Sequence, residues 1–229
     1  MEKIYYATSN EGKVKRLKES LKHYNVPVEL EQLNIQFPPE IATHQIEEIA
    51  KQKVMYAYDH LKIKNPVVAL DAGFFIDALK GWPAYDLKNQ THFHDEDYVL
   101  RMLKDAKRRT CRLIESLAYY DETLAKSGEP ETFQSVAEGR MAYEGRGGFK
   151  DWDWLSRLFI PKGMRKTLAE LTDEERMNLR EKFKTYHVEF AKWYLAGHKI
   201  LSVKIPERRS FFSDMLRNIL NPGSNEPTV

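Results

Sequence analysis

Near the start of the chain, "ATSNEGK" places Thr8 and Asn10 just ahead of a basic segment headed by Lys13. Side-chain oxygens at such positions cap the first N–H groups of a helix, and a lysine beside that positive helix end favours an anion. The same composition also makes an ordinary capped turn, and on local grounds alone that plainer reading wins. Lys53 is a sharper signal. Ile46, Ile49, Ala50, Val54, Ala57 and Leu61 form an apolar stripe at roughly 100° per residue, and Lys53 falls inside it. Either its stem packs while its head reaches a rim, or the stripe borders a buried anion. Asp71 follows the apolar run Val67-Val68-Ala69-Leu70 and precedes Ala72-Gly73. That order predicts a carboxylate at the C-terminal end of a strand, where open α/β sheets place their sites, with a simple turn-forming aspartate as the alternative. Glu40, stiffened by Pro38-Pro39, can join Asp71 in holding Mg²⁺, which takes a few carboxylates together with substrate phosphates.

Other patterns carry less. His92-Phe93-His94 precedes Asp95-Glu96-Asp97, but those acids are good first-turn helix residues. Five bases between Lys104 and Arg112 read as a solvated helix end, because no aromatic residues interleave them as a nucleic-acid groove requires. The loop "GGFKDWDW", with Phe149, Trp152 and Asp153, suits stacking on a planar ring, and core packing competes with that reading.

The elements that must position these residues follow from periodicity. Ile4 to Ala7 reads as a strand, and Val14, Leu17, Leu21 and Tyr24 recur as one face of a helix. Val28 to Phe37 is expected to be extended, 43–61 to be a second long helix ended by Asn65-Pro66, and Val67 to Leu70 to be a buried strand. A helix is predicted over 95–107, then strands over 111–120 and 132–143 joined by a turn at 126–130 as an antiparallel hairpin, then one helix over 172–195. Strand–helix–strand units followed by a hairpin predict an α/β chain with a mixed sheet. Residues 1–201 are expected to form one domain, with 202–229 as an extension that holds a short helix, "ERRSFFSDMLRNIL", and a disordered tail.

Composition narrows the function. With 229 residues and 42% hydrophobic content the chain can bury a substantial core. Its 36 basic and 34 acidic side chains nearly cancel, so no global field draws it to nucleic acid or to a membrane surface. Cys111 is the single cysteine, which excludes an intrachain disulfide and suits a reducing, cytoplasmic setting. No stretch approaches the ~20 apolar residues of a membrane span.

Taken together, "ATSNEGK", "DAGFFIDALKGWP" and "RKTLAELTDEE", in this order and spacing, resemble the inosine triphosphate pyrophosphatase family over roughly residues 3–195. The resemblance implies a long twisted mixed sheet with helices, two lobes around a cleft, and a homodimer. It also implies Mg²⁺-dependent hydrolysis of deaminated purine nucleoside triphosphates to the monophosphate and pyrophosphate. By position, it implies that Thr8, Asn10, Lys13 and Lys53 hold the triphosphate, that Glu40 and Asp71 hold the metal, and that Asp71 is catalytic. Phe149, Trp152 and Asp153 would contact the base. Water, oriented or deprotonated by Asp71, would attack the α-phosphorus, with activity rising into the alkaline range if metal-bound water is the nucleophile.

The chain departs from the family's pattern at Leu70, Ala72 and Ala84, where relatives usually carry an acid, a serine and a glycine. The family's Ser-His-Arg is missing as well. An ungapped register puts Arg180-Glu181-Lys182 there, with Lys182 as a base or phosphate contact, and a gapped one puts Tyr186-His187-Val188 there. These departures keep two alternatives open: a nucleotide-binding protein of the same fold without turnover, and the same chemistry on a different base.

Overall fold

The first strand, β1 (Glu2–Ala7), buries Ile4, Tyr6 and Ala7, and helix α1 (Glu11–His23) returns antiparallel to it with Val14, Leu17 and Leu21 turned inward. Strand β2 (Val28–Leu33) then pairs parallel to β1. Helix α2 (Ile46–Leu61) makes the second crossover, to β3 (Val67–Ile76), which lies parallel to β1 on its other side. The computed structural model describes residues 2–38, 45–62, 65–85, 95–148 and 153–197, with Leu61, Ser127 and Asp153 described by their backbone alone.

From β3 onward the sheet turns antiparallel. Strand β4 (Pro83–Ala84) pairs with β3, and β5 (Thr110–Tyr120), β6 (Glu131–Met141) and β7 (Phe159–Pro161) complete a seven-stranded mixed sheet of order β2-β1-β3-β5-β6-β7. Among the described residues, the α-helices that follow α2 are α3 (Glu96–Met102), α4 (Glu122–Ser127), α5 (Asp153–Leu158), α6 (Asp173–Lys182) and α7 (Tyr186–Leu195). This is the mixed α/β architecture that the sequence predicts.

Two hydrophobic cores lie along the sheet. The first gathers Val67 to Leu70 of β3 and Leu117 to Tyr120 of β5 with α1, α2 and the aromatic face of α7. The second gathers Phe74 and Ile76 of β3 and Cys111 and Leu113 of β5 with Trp154, Leu155 and Leu158. Between them the same two strands carry buried polar side chains, Asp71 on β3 and Glu115 and Ser116 on β5. Polar groups there interrupt what would otherwise be one continuous apolar layer, and such groups are retained inside a protein when they are satisfied or used.

Several expectations change. Strand β3 does not stop near Asp71 but continues to Ile76, so Asp71 lies mid-strand. The cause is the partner β5, which pairs with β3 from Val67 through Ile76. The helix predicted over 95–107 ends at Met102, capped at Leu103. The connection of the β5–β6 hairpin is not a bare turn but contains α4, whose N-cap Asp121 accepts from the amides of Thr123 and Leu124. The single helix predicted over 172–195 is two. Lys184 adopts a left-handed φ of 45°, which ends α6 and redirects α7 so that Phe190 and Trp193 pack on Tyr119 and Phe133.

The chain divides into a unit Met1–Leu195 and a unit Ala196–Val229. The boundary expected at 201/202, the C-terminal helix and tail, and the pair His92 and His94 lie outside the described residues. Among the described residues no helix is long and apolar enough to cross a membrane.

Packing of β7 on β6 depends on Gly139, whose place a β-carbon would share with the Ile160 carbonyl oxygen and the Phe159 ring. Gly139→Ala is expected to lower stability by about 2 kcal/mol and the melting temperature by roughly 5 °C, as read by thermal unfolding.

Candidate functional site

The opening turn is built tightly. Thr8 is buried, its amide donates to the Leu33 carbonyl at 3.0 Å, and its hydroxyl accepts from the Asn10 amide at 3.1 Å. Asn10 is the N-cap of α1, and its carboxamide oxygen accepts from the Lys13 amide at 3.1 Å. That commitment leaves the Asn10 Nδ2 as the side chain's donor toward a ligand. The ordinary capped turn read from the sequence is therefore real, and the question becomes what lies in front of it.

What lies there is a break in one edge of the sheet. Strand β1 pairs with β3 only at Val67 and Val68, and β4 pairs with β3 only at Phe74 and Phe75. Residues 69–73 of β3 lie between these two ladders, and the half-buried Lys13 reaches into the space, its Nζ donating to the Leu70 carbonyl at 3.4 Å. Burial lowers its ammonium to about 8; Asp71 opposes the shift, and the positive charges of Lys53 and Arg16 add to it.

Lys53 extends from α2 toward the same place. Its Nζ lies 2.5 Å from an oxygen of Asp71, with the two side chains 15% and 9% exposed. The anion implied by a lysine inside an apolar stripe is thus Asp71. Two lysines from different helices and one aspartate from β3 share a single spot beyond the end of β1. Such a group holds an anionic ligand on its lysines and orients a polar reactant on its carboxylate.

Asp71 pairs in register with Ser116, and Ala72 pairs with Glu115. Side chains alternate across a sheet, so Glu115 lies on the opposite face from Asp71. On that face Glu115 meets a second buried polar group formed by Arg16 of α1, Arg180 of α6, Tyr6 of β1 and Tyr186 and His187 of α7. The Arg180 Nη1 donates to the Ser20 hydroxyl at 2.8 Å.

Reasoning from the sequence passes over Arg16 and Glu115, yet a signal for both exists. Arg16 is a charged residue next to the apolar positions Val14 and Leu17, and Glu115 alternates in phase with Leu113 and Leu117. Each is a polar misfit of the kind that marks Lys53. Lys182, by contrast, is exposed, its Nζ lying 5.8 Å from the Phe183 ring centre, whereas Arg180 turns inward. Glu40, Phe149 and Trp152 lie outside the described residues, and Asp153 opens α5.

With the geometry in hand, residues 4–187 match the model of the Ham1 family. The chain belongs to the Ham1 family. It is 31% identical to a dITP/XTP pyrophosphatase of Methanopyrus kandleri, over 84% of this chain and 96% of that protein. It is also 31% identical to a dITP/XTP pyrophosphatase of Thermococcus kodakarensis, over 83% and 96%. Among solved structures it resembles a nucleoside-triphosphatase (dITP/XTP pyrophosphatase) of Mycobacterium abscessus, with 25% identity, a TM-score of 0.60, and 80% and 94% of the two chains covered. A Ham1 protein of Coxiella burnetii shares the fold, with 20% identity and a TM-score of 0.68 over 86% and 100%. The inosine triphosphate pyrophosphatase resemblance read from three motifs therefore holds at the level of the family. The stretch matched to the Ham1 model begins within β1, takes in every later described element through α6 and ends in the first residues of α7.

Proposed function

We propose that this Ham1-family protein is a Mg²⁺-dependent nucleoside triphosphate pyrophosphatase that releases pyrophosphate from deaminated purine nucleotides such as ITP, dITP and XTP. The observation that carries this reading is the meeting of Lys13 and Lys53 with Asp71 at the break in the sheet edge. The relatives named dITP/XTP pyrophosphatases support it.

In this reading the triphosphate lies across the α1 N-terminus, with Lys13 and Lys53 against its oxygens. Water attacks the α-phosphorus, oriented by the Asp71 carboxylate, which accepts the proton. The lysines offset the charge that grows on the departing pyrophosphate. Among the described residues no three His, Cys, Asp or Glu side chains gather into a metal cage. One buried carboxylate, that of Asp71, fits a hard cation that completes its shell with phosphate oxygens and water, and Glu40 would supply a second. Bound there, Mg²⁺ supplies charge neutralisation at the phosphate oxygens. The homodimer and the cytoplasmic setting rest on the family resemblance and on the single cysteine.

The test is pyrophosphate release from ITP, XTP and dATP with Mg²⁺. Release from ITP and XTP well above dATP is expected. Tight binding of a nonhydrolysable triphosphate without release would instead establish a binding protein.

Lys13 gives the pH dependence a direction. A free-enzyme ammonium lowered to about 8 loses its charge as pH rises through that value. Hence kcat/KM is expected to fall above about pH 8, while kcat at saturating substrate stays flatter because bound phosphates keep Lys13 protonated. An alkaline rise, expected if metal-bound water is the nucleophile, would be read in kcat at saturating substrate. Initial rates at limiting and saturating ITP between pH 6.5 and 9.5, a window of about 1.5 units on each side, separate the two.

A further inference from the structure

Asp71 has two claimants. The proposed chemistry gives its carboxylate to a divalent cation, yet in the structure that carboxylate is held by the Lys53 Nζ at 2.5 Å. Both side chains are largely buried, so water and salt screen the pair little. A cation on either carboxylate oxygen would lie close to that ammonium and be repelled by it. Lys13 adds a second positive charge: its Nζ donates to the carbonyl of Leu70, next to Asp71, and Asp71 and Lys53 both act on its ammonium. Among the described residues Asp71 is the one buried carboxylate on this face, since Glu115, the other buried acid, lies on the reverse. The described groups at the empty site thus carry more positive than negative charge, and a doubly charged ion that gives up its water to enter gains little. A triphosphate reverses that balance, because its oxygens carry more negative charge than the two lysines offset.

Lys53 is suited to changing partners. Its charge is a compact point on a flexible stem, so the head can pass from Asp71 to a phosphate while α2 stays in place. The Phe37 ring, its centre 5.9 Å from the Nζ, attracts the ammonium without offering it an anion. Leaving Asp71 does not therefore strip Lys53 of favourable surroundings.

We propose that Lys53 is a removable counter-ion of Asp71, which bars a divalent cation from the empty site and admits it only when a polyphosphate draws the ammonium away. The proposal rests on the pyrophosphatase reading for the identity of that polyphosphate. The cation enters with the phosphates or after them, and not before. Asp71 is consequently neutralised by its own chain until a substrate is present.

The test measures metal binding to the full-length protein without nucleotide, with Mn²⁺ as the probe and the paramagnetic resonance of the unbound ion as the readout. The wild type is expected to bind Mn²⁺ weakly, and Lys53→Met about tenfold more tightly, as removal of one like charge at close range implies. Lys53→Arg, which keeps the charge, is expected to bind as weakly as the wild type. Adding Asp71→Asn to Lys53→Met is expected to abolish the gain, which places the ion on Asp71. Equal Mn²⁺ affinity in the wild type and a folded Lys53→Met protein would overturn the proposal, as would a gain that survives the loss of Asp71. Should Lys53→Met not fold, thermal unfolding of the wild type decides. Mg²⁺ alone is expected to leave the melting temperature unchanged, and a rise that Asp71→Asn removes would sink the counter-ion role. If no triphosphate is hydrolysed yet Lys53→Met gains Mn²⁺ affinity, the counter-ion role stands and the pyrophosphatase reading falls. If ITP is hydrolysed and the two affinities are equal, the counter-ion role alone falls.

Discussion

Asp71→Asn is expected to lower kcat for pyrophosphate release by about a thousandfold, within the range associated with losing a general base. The substitution keeps shape and volume, and the ten-residue pairing of β3 with β5 does not involve the side chain. It removes the charge that orients water, and it removes the one described carboxylate suited to a metal. It also leaves Lys53 without the oxygen anion 2.5 Å away. Binding of a nonhydrolysable triphosphate is therefore expected to persist or tighten, because both lysines remain and their competitor is gone. Equal turnover in wild type and Asp71→Asn would remove Asp71 from the chemistry.

Lys53→Met is expected to act on both stability and activity. Breaking a buried ion pair on one side costs about 3–5 kcal/mol, because the remaining charge is stranded. Here Lys13 supplies a second positive charge and Asp71 borders the space beyond β1, so a smaller loss, of about 2 kcal/mol, is expected. Methionine fits the stripe of Ile49, Ala50, Val54 and Ala57, so packing is not the cause. The kcat/KM for ITP is expected to drop by about a hundredfold with the loss of a charge-assisted contact to phosphate. Combining Lys53→Met with Asp71→Asn separates the two effects. The double variant should recover most of the lost stability, since neither charge is stranded, and none of the lost activity. Denaturant unfolding of the four proteins gives the coupling energy directly. A double variant no more stable than Lys53→Met would show that Lys53 is held by its packing rather than by Asp71.

The legibility of this protein in its sequence varies with the range of the interactions involved. Asn10 as the cap of α1 was readable because a cap bonds to an amide three residues away. Lys53 was readable as a misfit because helical periodicity is local. Asp71 was readable as a carboxylate set against an apolar strand but not in its place within it. An apolar run followed by Ala72-Gly73 looks like a strand end, yet β5 supplies partners as far as Ile76. The break between α6 and α7 was not readable. Residues 172–195 keep a helical pattern throughout, and only the fit of Phe190 and Trp193 to Tyr119 and Phe133 requires Lys184 to turn left-handed.

By itself the sequence determined the β1–turn–α1 opening, the apolar stripe with its misplaced lysine, the hairpin of long strands and the ordered motifs that lead to the Ham1 family. These are encoded by neighbours within a turn or two of one another, where capping, alternation and helical period decide the outcome. Only the tertiary structure decided that the anion facing Lys53 is Asp71. It also decided that the break between β1 and β4 opens beside Lys13, and that Arg16, Glu115 and Arg180 gather on the reverse face. The reason is physical: those meetings depend on strand register and on which face each residue takes, and shifting the β3–β5 register by one residue would bring Asp71 and Glu115 onto the same face. Register is set by the joint packing of two cores, a property of the folded whole.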